Sequence, residues 1–253
     1  MFSTKSSPIK PVSLYSITLL CIVLTNHCVS ASVRTGKDDD YWNRPCGGIS
    51  LETTPPPLNS HEFLSLISKT SEILYQVERF QRDYVGKKAN TRVSRRTQNL
   101  LDRTVTSLPG YVDAEAFTLA SSDVSNTLSS IYRQTSFMSV FFDQIERYEN
   151  RYDNGRFSPD VRQFQRIMSA LRCHLASVLV AARAPIPQVS AHVIGLYDAF
   201  SRHDCHEFAY LVLRDTIRVL RRHKNSYRRM YDSSMRRDGH STTAEPTITS
   251  TNA

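Results

Sequence analysis

The clearest hydrophobic pattern in the chain lies near its carboxyl end, between Asp204 and Tyr231. Apolar side chains recur there with the period of a helix: Phe208, Leu211, Val212, Val219, Leu220, Tyr227 and Met230. This period predicts an amphipathic helix. The segment contains no proline or glycine, and Asp204 supplies a capping carboxylate for its first turn. Its opposite face and last two turns are basic, so other helices must cover the apolar face.

Three earlier segments repeat the helical period and complete a set of four predicted helices. Ser158 is predicted to cap the third of them, with Pro159 at its first helical position. No alternating pattern of period two competes with these segments, so the predicted fold class is all-α. The first three helices are predicted to run from 59 or 60 to Gly86, from 121 or 122 to the turn that begins at Asp153, and from Ser158 through Ala182, where Pro185 stops the last of them.

The connections between the helices differ in length, and this difference predicts the topology. Residues 87–113 and 184–203 form two long connections, whereas only the turn at 153–155 separates the second helix from the third. A short link forces its two helices to run antiparallel, and a long link allows neighbours in sequence to run parallel. The order long, short, long therefore predicts an up-up-down-down, long-chain four-helix bundle with two long crossover loops.

Residues 1–31 have the layout of a secretory signal peptide. Lys5 and Lys10 precede an apolar run at 17–24, and small residues follow as far as Ala31, where we expect cleavage. The apolar run is too short to span a bilayer of roughly 30 Å. We therefore expect a secreted, extracellular protein that is not embedded in a membrane. The remaining chain divides into an extended segment, a helical domain and a disordered Ser/Thr-rich tail: 32–58, 59–231 and 232–253.

Cleavage at Ala31 would leave three cysteines, Cys46, Cys173 and Cys205. Outside the cell, cysteines of this kind usually form disulfides. An odd number permits at most one pair within the chain and leaves one thiol free or paired with another chain. The residues alone do not choose among the three pairings.

The sequence contains no specific catalytic or metal-binding pattern. The chain contains no nucleophile elbow, no zinc-protease motif and no phosphate-binding glycine loop. Asp143 and Glu146 lie one turn apart, but such pairs on a charged face are usually solvated. We therefore expect no enzymatic activity, no cofactor and no metal. The residues that could be imagined as ligands are too closely spaced for a tetrahedral site: His203, Cys205, His206 and the pair Cys173–His174.

The chain is basic, with a formal net charge of +8 and a pI near 9.4. Cleavage would lower the charge by two, to +6, because Lys5 and Lys10 are removed. The arginines near the end of the fourth predicted helix are favoured there by the helix dipole, and no stacking aromatics interleave with them, so nucleic acid is not an expected partner. Such a patch attracts heparan sulfate, which leaves a glycan- or matrix-binding protein without signalling as the alternative function.

Three stretches resemble the interleukin-6 family of four-helix cytokines. The fourth helix reads FAYLVLRDTIRVLRR from Phe208 to Arg222, with an aromatic residue before a leucine- and valine-rich core and a basic end. The first helix ends in FQRDYVG, and the second contains SSIYRQTSFMSV. The chain resembles especially the ciliary neurotrophic factor and cardiotrophin branch, and an invertebrate relative of the unpaired type fits as well. The likeness covers about residues 60–231.

The resemblance implies an extracellular ligand that cross-links cell-surface receptors of the interleukin-6 class, or Domeless-like receptors, and activates JAK/STAT signalling. Two implied receptor surfaces are the basic end of the fourth helix and the solvent face of the first and third helices. The residues of the first surface are Arg218, Arg221, Arg222, Arg228 and Arg229. Those of the second are Glu72, Gln76, Arg79, Asp83, Arg162, Gln165, Arg166 and Arg172.

A third implied surface lies at the start of the fourth helix, where the family branch carries a Phe-x-x-Lys pair. This chain has no such pair, and the nearest residues are Phe200, His203 and His206. Family members often join the amino-terminal segment to the third helix by a disulfide. The resemblance therefore makes Cys46–Cys173 the first choice of pairing and Cys173–Cys205 the second.

Overall fold

The computed structural model describes Cys46 and residues 58–86, 93–105, 107–108, 123–189 and 200–240. Five α-helices lie in these ranges, and none of the residues there forms a β-strand. The all-α prediction is confirmed for this part of the chain, whereas the predicted signal peptide and most of segment 32–58 lie outside it. No helix within the described ranges has the length and apolar character needed to span a membrane. The helices are α1 (Ser60–Gly86), α2 (Arg95–Thr104), α3 (Val124–Tyr152), α4 (Ser158–Ala181) and α5 (Arg202–His240).

The four long helices, α1, α3, α4 and α5, share one hydrophobic core. Helix α1 packs against α4 and α5, and α3 packs against the same two helices. Phe164 of α4 contacts Phe80 of α1 and Phe142 of α3, with ring centroids 5.2 and 5.5 Å apart. Burial of a large apolar side chain contributes about 1.5–3 kcal/mol, so this core is the main source of stability. Each long helix supplies fully buried residues to it, for example Ile73, Phe142, Met168 and Val212.

Side-chain caps fix where α1 and α3 begin. At α1, Asn59 Oδ1 accepts a hydrogen bond from the backbone N–H of Glu62 (3.1 Å), so Asn59 and not Ser60 is the cap. At α3, Asp123 accepts hydrogen bonds from the amides of the second and third residues after it. The helix therefore starts two or three residues later than the predicted 121 or 122. Aspartate is as good a cap as the serines that precede it.

The first turn of α5 is closed by reciprocal hydrogen bonds between Ser201 and Asp204. Asp204 Oδ2 accepts from the backbone N–H (3.0 Å) and hydroxyl (2.7 Å) of Ser201, and Ser201 Oγ accepts from the backbone N–H of Asp204 (3.3 Å). This arrangement is a capping box. Asp204 thus stabilises the first turn as predicted, but from inside a helix that starts two residues earlier, at Arg202.

A tight turn joins α3 to α4. Asn154 and Gly155 both adopt positive φ angles, 54° and 68°. A Cβ atom at Gly155 would lie 2.8 Å from Asn150 Oδ1, so glycine is required there. Helix α4 begins at Ser158 with proline in its first turn, as predicted, but Ser158 is not its cap. The Ser158 hydroxyl donates to Asn150 Oδ1 (2.7 Å), and Phe157 holds the N-cap position without a side-chain cap.

Helix α2 lies in the first long connection, where no helix was predicted. It begins after Ser94, whose Oγ accepts a hydrogen bond from the backbone N–H of Thr97 (3.1 Å). Leu101 is its one fully buried apolar side chain among the described residues, at 1% exposure. A ten-residue helix with a single inward apolar residue shows no recognisable period, so the pattern predicts only a polar connection there.

Helix α5 continues through residues 232–240, so the prediction of a disordered tail from 232 is wrong for this part. The sequence offers no proline, and no glycine before Gly239, to stop the helix after Tyr231. Ser233 Oγ donates to the carbonyl oxygen of Arg229 (2.8 Å), one turn back along the helix. The remainder of the predicted tail, 241–253, lies outside the described residues.

Candidate functional site

The five arginines of α5 that were predicted to contact a receptor are all exposed, and they form two adjacent stripes. Arg221 and Arg228 are seven residues apart, so they lie on one side of the helix, about two turns from each other. Arg218, Arg222 and Arg229 repeat at spacings of four and seven residues and form the second stripe. Together the stripes make a broad basic band along the second half of α5.

Ion pairs tie each stripe to its surroundings. Arg221 Nη2 lies 2.7 Å from Glu78 Oε1 of α1, so the first stripe borders α1. Arg218 Nη1 lies 3.5 Å from Asp215 Oδ1 of α5 itself. The two arginine side chains remain 61% and 44% exposed, and exposed pairs of this kind contribute only about 0–1 kcal/mol. Both guanidinium groups can therefore reach a partner at little cost.

The α1 part of the second predicted surface forms one face, as expected. Glu72, Gln76, Arg79 and Asp83 follow each other at spacings of four, three and four residues. Glu72 and Arg79 are exposed, and the other two are half-buried. The Gln76 side-chain amide donates to Glu72 Oε1 (3.3 Å), which links two members of the face.

The α4 part of that surface is divided. Arg162 Nε lies 3.6 Å from Glu146 Oε1 of α3. The Gln165 amide nitrogen lies 3.0 Å from Glu146 Oε2 when the amide is oriented to donate to the carboxylate. Both residues therefore face α3 and not α1, which contradicts their assignment to a face shared with α1. Arg166 is exposed and stays a candidate.

Arg172 is fully buried, so its assignment to a receptor surface is wrong. It lies four residues after Met168 and three before Leu175, both core residues, and the helical period therefore places it inward. Burial raises the pKa of Tyr132 on α3, and the nearby Arg172 charge partly opposes that rise. Counting the period through Arg172 would have identified it as a core residue.

The histidines of the third predicted surface have different surroundings. His203 is exposed, and its Nε2 lies 3.0 Å from Glu207 Oε1 one turn along α5. His206 is buried, and its Nε2 lies 2.7 Å from Asp153 Oδ2 at the end of α3. The same carboxylate also pairs with Arg202. His206 therefore fastens α5 to α3, and its predicted contact with a receptor is wrong.

Phe200, the third member of that surface, packs against the core. Its ring lies 6.2 Å from the ring of Phe208 and 6.3 Å from that of Tyr148. The Tyr152 hydroxyl donates to the Phe200 carbonyl oxygen (2.9 Å). Two of the three residues of this predicted site, Phe200 and His206, are thus structural contacts between α3 and the start of α5.

The acidic pair of α3 and the imagined metal ligands are engaged in separate contacts. Asp143 Oδ2 lies 2.8 Å from Arg147 Nε, one turn along α3, and Glu146 pairs with Arg162 of α4. Within the described ranges, no three His, Cys, Asp or Glu side chains converge on a position that could hold a metal. In the described ranges, each of these side chains thus makes its own local contact.

Cys46 and Cys173 are joined by a disulfide, with Sγ atoms 2.16 Å apart. This is the pairing that the resemblance implied as first choice. Cys205 is a free, buried thiol, so the second choice, Cys173–Cys205, is not formed. Burial raises the pKa of Cys205 to about 12, and the thiol therefore stays protonated at physiological pH.

A polar contact lies beside the disulfide. His174 Nε2 lies 2.7 Å from Glu62 Oε2, and its Nδ1 lies 3.1 Å from Lys69 Nζ. Burial lowers the pKa of His174, although Glu62 opposes the change. The end of α4 is thus fastened to the start of α1 by one histidine as well as by hydrophobic packing.

A buried polar cluster, which was not predicted, joins α2 to the middle of α5. Arg214 Nη1 lies 3.1 Å from Asp102 Oδ1 of α2, and Arg214 Nε donates to Asp215 Oδ1 (2.8 Å). The backbone N–H of Leu108 donates to Asp215 Oδ2 (2.9 Å). Arg214 and Asp215 are only 6% and 1% exposed. The cluster holds α2 and Leu108 against α5.

Tyr210 completes this cluster. Its hydroxyl donates to Asp102 (3.1 Å), and burial together with the Asp102 carboxylate raises the pKa of Tyr210 to about 12. Because Arg218 also pairs with Asp215, the cluster places α2 beside the basic band. The sequence carried one signal for this cluster: Arg214 and Asp215 stand together in the middle of an apolar run, one turn after Tyr210.

His223 lies in the core, one residue after the exposed Arg222. Its Nε2 is 2.8 Å from Gln134 Oε1 of α3, and its ring is 6.5 Å from that of Tyr227. Burial, and to a smaller extent the Arg222 charge, lowers the pKa of His223 to about 3. The imidazole is therefore neutral at physiological pH.

Comparison with known proteins adds no relative: no protein-family model, curated protein or solved structure matches the chain.

Proposed function

We propose that the protein is a secreted helical cytokine that binds and cross-links receptors of the interleukin-6 class, or Domeless-like receptors, and so activates JAK/STAT signalling. The observation that carries this proposal is the combination of four long helices with long, short and long connections. In an up-up-down-down bundle, α1 and α3 run parallel, and both are antiparallel to α4 and α5. Contacts near the helix ends test that arrangement.

The contacts of α1 support this topology. Glu62, near the start of α1, lies 2.7 Å from His174 near the end of α4. Tyr84, near the end of α1, has its ring 6.4 Å from that of His206 near the start of α5. Both pairs fit a helix that runs antiparallel to α4 and to α5.

The contacts of α3 support it in the same way. Glu146, in the second half of α3, pairs with Arg162 in the first half of α4. Gln134, in the first half of α3, contacts His223 in the second half of α5. A helix antiparallel to α4 and α5 is parallel to α1, as the proposed bundle requires.

Cross-linking of two receptor chains needs two separate surfaces. We assign one to the basic band of α5 and the other to the α1 face with Arg166 of α4. The α1 face is Glu72, Gln76, Arg79 and Asp83, which belong to a different helix from the basic band. Binding at these surfaces involves no catalytic step by the ligand.

The test is direct binding of the oxidised mature chain to a panel of receptor ectodomains of the interleukin-6 and Domeless classes. Wild-type protein should bind at least one ectodomain with a Kd in the nanomolar range. The double variant R222E/R229E should weaken that Kd at least tenfold, because hot-spot arginines contribute about 2 kcal/mol or more. R96E, which reverses an exposed arginine on α2, is the matched control. A folded protein that binds none of the ectodomains would refute the proposal.

A second candidate function, glycan binding without signalling, is favoured by the stripe of Arg218, Arg222 and Arg229. Gln134 and His223 face each other across antiparallel helices, so the residues before them, Arg133 and Arg222, lie on the same side of the α3/α5 pair. Polyanions bind such clusters through charge alone. Under this function, wild-type protein should be retained more strongly on heparin than on a cation exchanger and should bind no ectodomain. R222E/R229E should lose the retention on heparin.

A further inference from the structure

Exposed apolar side chains are concentrated on one flank of the protein. Within the described ranges four large hydrophobic residues are exposed, and three of them belong to α1 and α5. These are Leu64 and Tyr75 of α1, at 43% and 62% exposure, and Met235 of α5, at 48%. The fourth, Leu100, lies on α2 at 37%. Single exposed apolar residues are normal on a surface, whereas a group of them often marks an interaction site.

The ion pair between Glu78 and Arg221 serves as the reference that places the exposed apolar residues of α1 and α5 on one flank. Leu64 lies fourteen residues before Glu78, and Met235 lies fourteen residues after Arg221. Fourteen residues make just under four helical turns, so each returns to the side of its helix that carries the ion pair. Because α1 and α5 pack antiparallel, both steps lead in the same direction, over about 21 Å. Leu64 and Met235 therefore lie at the same level, with Tyr75 between them and the ion pair.

Half-buried apolar residues connect this patch to the core. Ile67 and Leu74 of α1 and Tyr231 of α5 are partly exposed and pack against core residues. The apolar surface is thus backed by rigid structure, which lowers the entropic cost of holding it in a binding-competent form. We call this surface, Leu64, Ile67, Leu74, Tyr75, Tyr231 and Met235, the α1/α5 flank.

Cations border the α1/α5 flank on both helices. Arg228 lies seven residues after Arg221 and so returns to the same side of α5, and Lys224 lies between them. On α1, Arg82 follows Tyr75 by seven residues and is exposed. The acidic Glu78 is already paired with Arg221. Asp232 follows Arg228 by one turn and is the exposed acid on this side of α5, but Arg228, Lys224 and Arg82 outnumber it. The border therefore carries excess positive charge around an apolar centre.

We propose that the α1/α5 flank is a protein-binding surface whose partner is a receptor ectodomain with an apolar centre and an acidic border. Tyrosine, methionine and arginine are the residues enriched in such interfaces, and Tyr75 is the most exposed large hydrophobic residue among those that the structure describes. A sulfated glycan would use the cations but gain nothing from the apolar centre. This inference rests on the proposed function and identifies which face of the ligand a receptor covers.

The experiment compares six proteins on the same panel of receptor ectodomains and on a heparin column. The flank variant L64S/Y75S/M235S removes the exposed apolar groups, and Y75S alone is the milder version. L100S is the matched control, because it removes an exposed leucine outside the flank. Circular dichroism melting confirms that each protein is folded, as expected for substitutions at exposed positions.

Wild-type protein and L100S should bind with equal affinity, the flank variant at least tenfold more weakly, and Y75S between them. R228E should lower the association rate constant at least about threefold, with R96E on α2 as its control. Equal affinities for the flank variant and L100S would overturn this inference and leave the proposed function standing. If wild-type protein binds no ectodomain, both fail. If the flank variant loses heparin retention but binds the ectodomains unchanged, the inference is also overturned, in favour of a glycan site.

Discussion

Acidification should destabilise the fold through His223, which is buried and neutral in the core. In the unfolded chain its imidazole takes up a proton as the pH falls through about 6.5. In the folded protein the pKa of His223 is about 3, because burial disfavours the charged ring. Between these two values only the unfolded state binds the proton. Stability is therefore unaffected by this group above pH 6.5 and declines as the pH falls from there towards 3.

The size of this effect follows from the difference between the two pKa values. At pH 5 the unfolded chain gains about 2 kcal/mol relative to the folded protein from this one group. The figure hardly depends on the folded-state value, since any pKa of His223 below about 4 gives the same result at pH 5. Such a loss is a large fraction of a typical stability of about 5–15 kcal/mol.

Urea denaturation at pH 8 and pH 5, followed by far-ultraviolet circular dichroism, measures this loss. H223Q keeps an amide that can bond to Gln134 but does not titrate, so it should lose about 2 kcal/mol less than wild-type protein between the two pH values. H203Q replaces an exposed histidine of the same helix and controls for removal of an imidazole. H203Q should lack the gain of about 2 kcal/mol at pH 5 that H223Q shows. Parallel curves for wild type and H223Q would show that His223 is not a buried neutral group.

Three further predictions concern the covalent and polar links. C46S/C173S should lower the free energy of unfolding by about 2–5 kcal/mol in urea titrations, because the disulfide closes a loop with a sequence separation of 127 residues; an unchanged midpoint would count against that link. D215A should cost about 3 kcal/mol or more, because it leaves Arg214 buried without its main partner, and should speed amide hydrogen exchange in 93–108; unchanged exchange there would contradict the described cluster. Native Cys205 should resist thiol reagents until the protein unfolds, and rapid labelling of folded protein would refute its burial.

The sequence predicted the long helices well because each buries a stripe at the helical period. Gly86 ends α1 as predicted, and α4 begins at Ser158 as predicted. The pattern failed where a helix is short or has no stripe of its own. Helix α2 turns one fully buried apolar residue, Leu101, towards the core, and the extension of α5 beyond Tyr231 is polar apart from the exposed Met235.

The candidate surfaces were predicted less completely, because the neighbours of a helix are set by tertiary packing. The period alone could have shown that Arg172 is buried, since it falls among core residues of α4. No periodic signal says that Arg162 faces α3, because this depends on which helix lies on each side of α4. The contact of Arg214 with Asp102 joins residues more than a hundred positions apart and has no local signature.

The central claim, that this protein is a receptor-activating ligand, is tested most directly by STAT phosphorylation in cells. Oxidised mature protein should be added to matched cell lines, each expressing one interleukin-6-class or Domeless-like receptor. The account predicts dose-dependent STAT phosphorylation in at least one line, and its loss in R222E/R229E but not in R96E. If folded wild-type protein produces no phosphorylation in any line, the proposed function is contradicted.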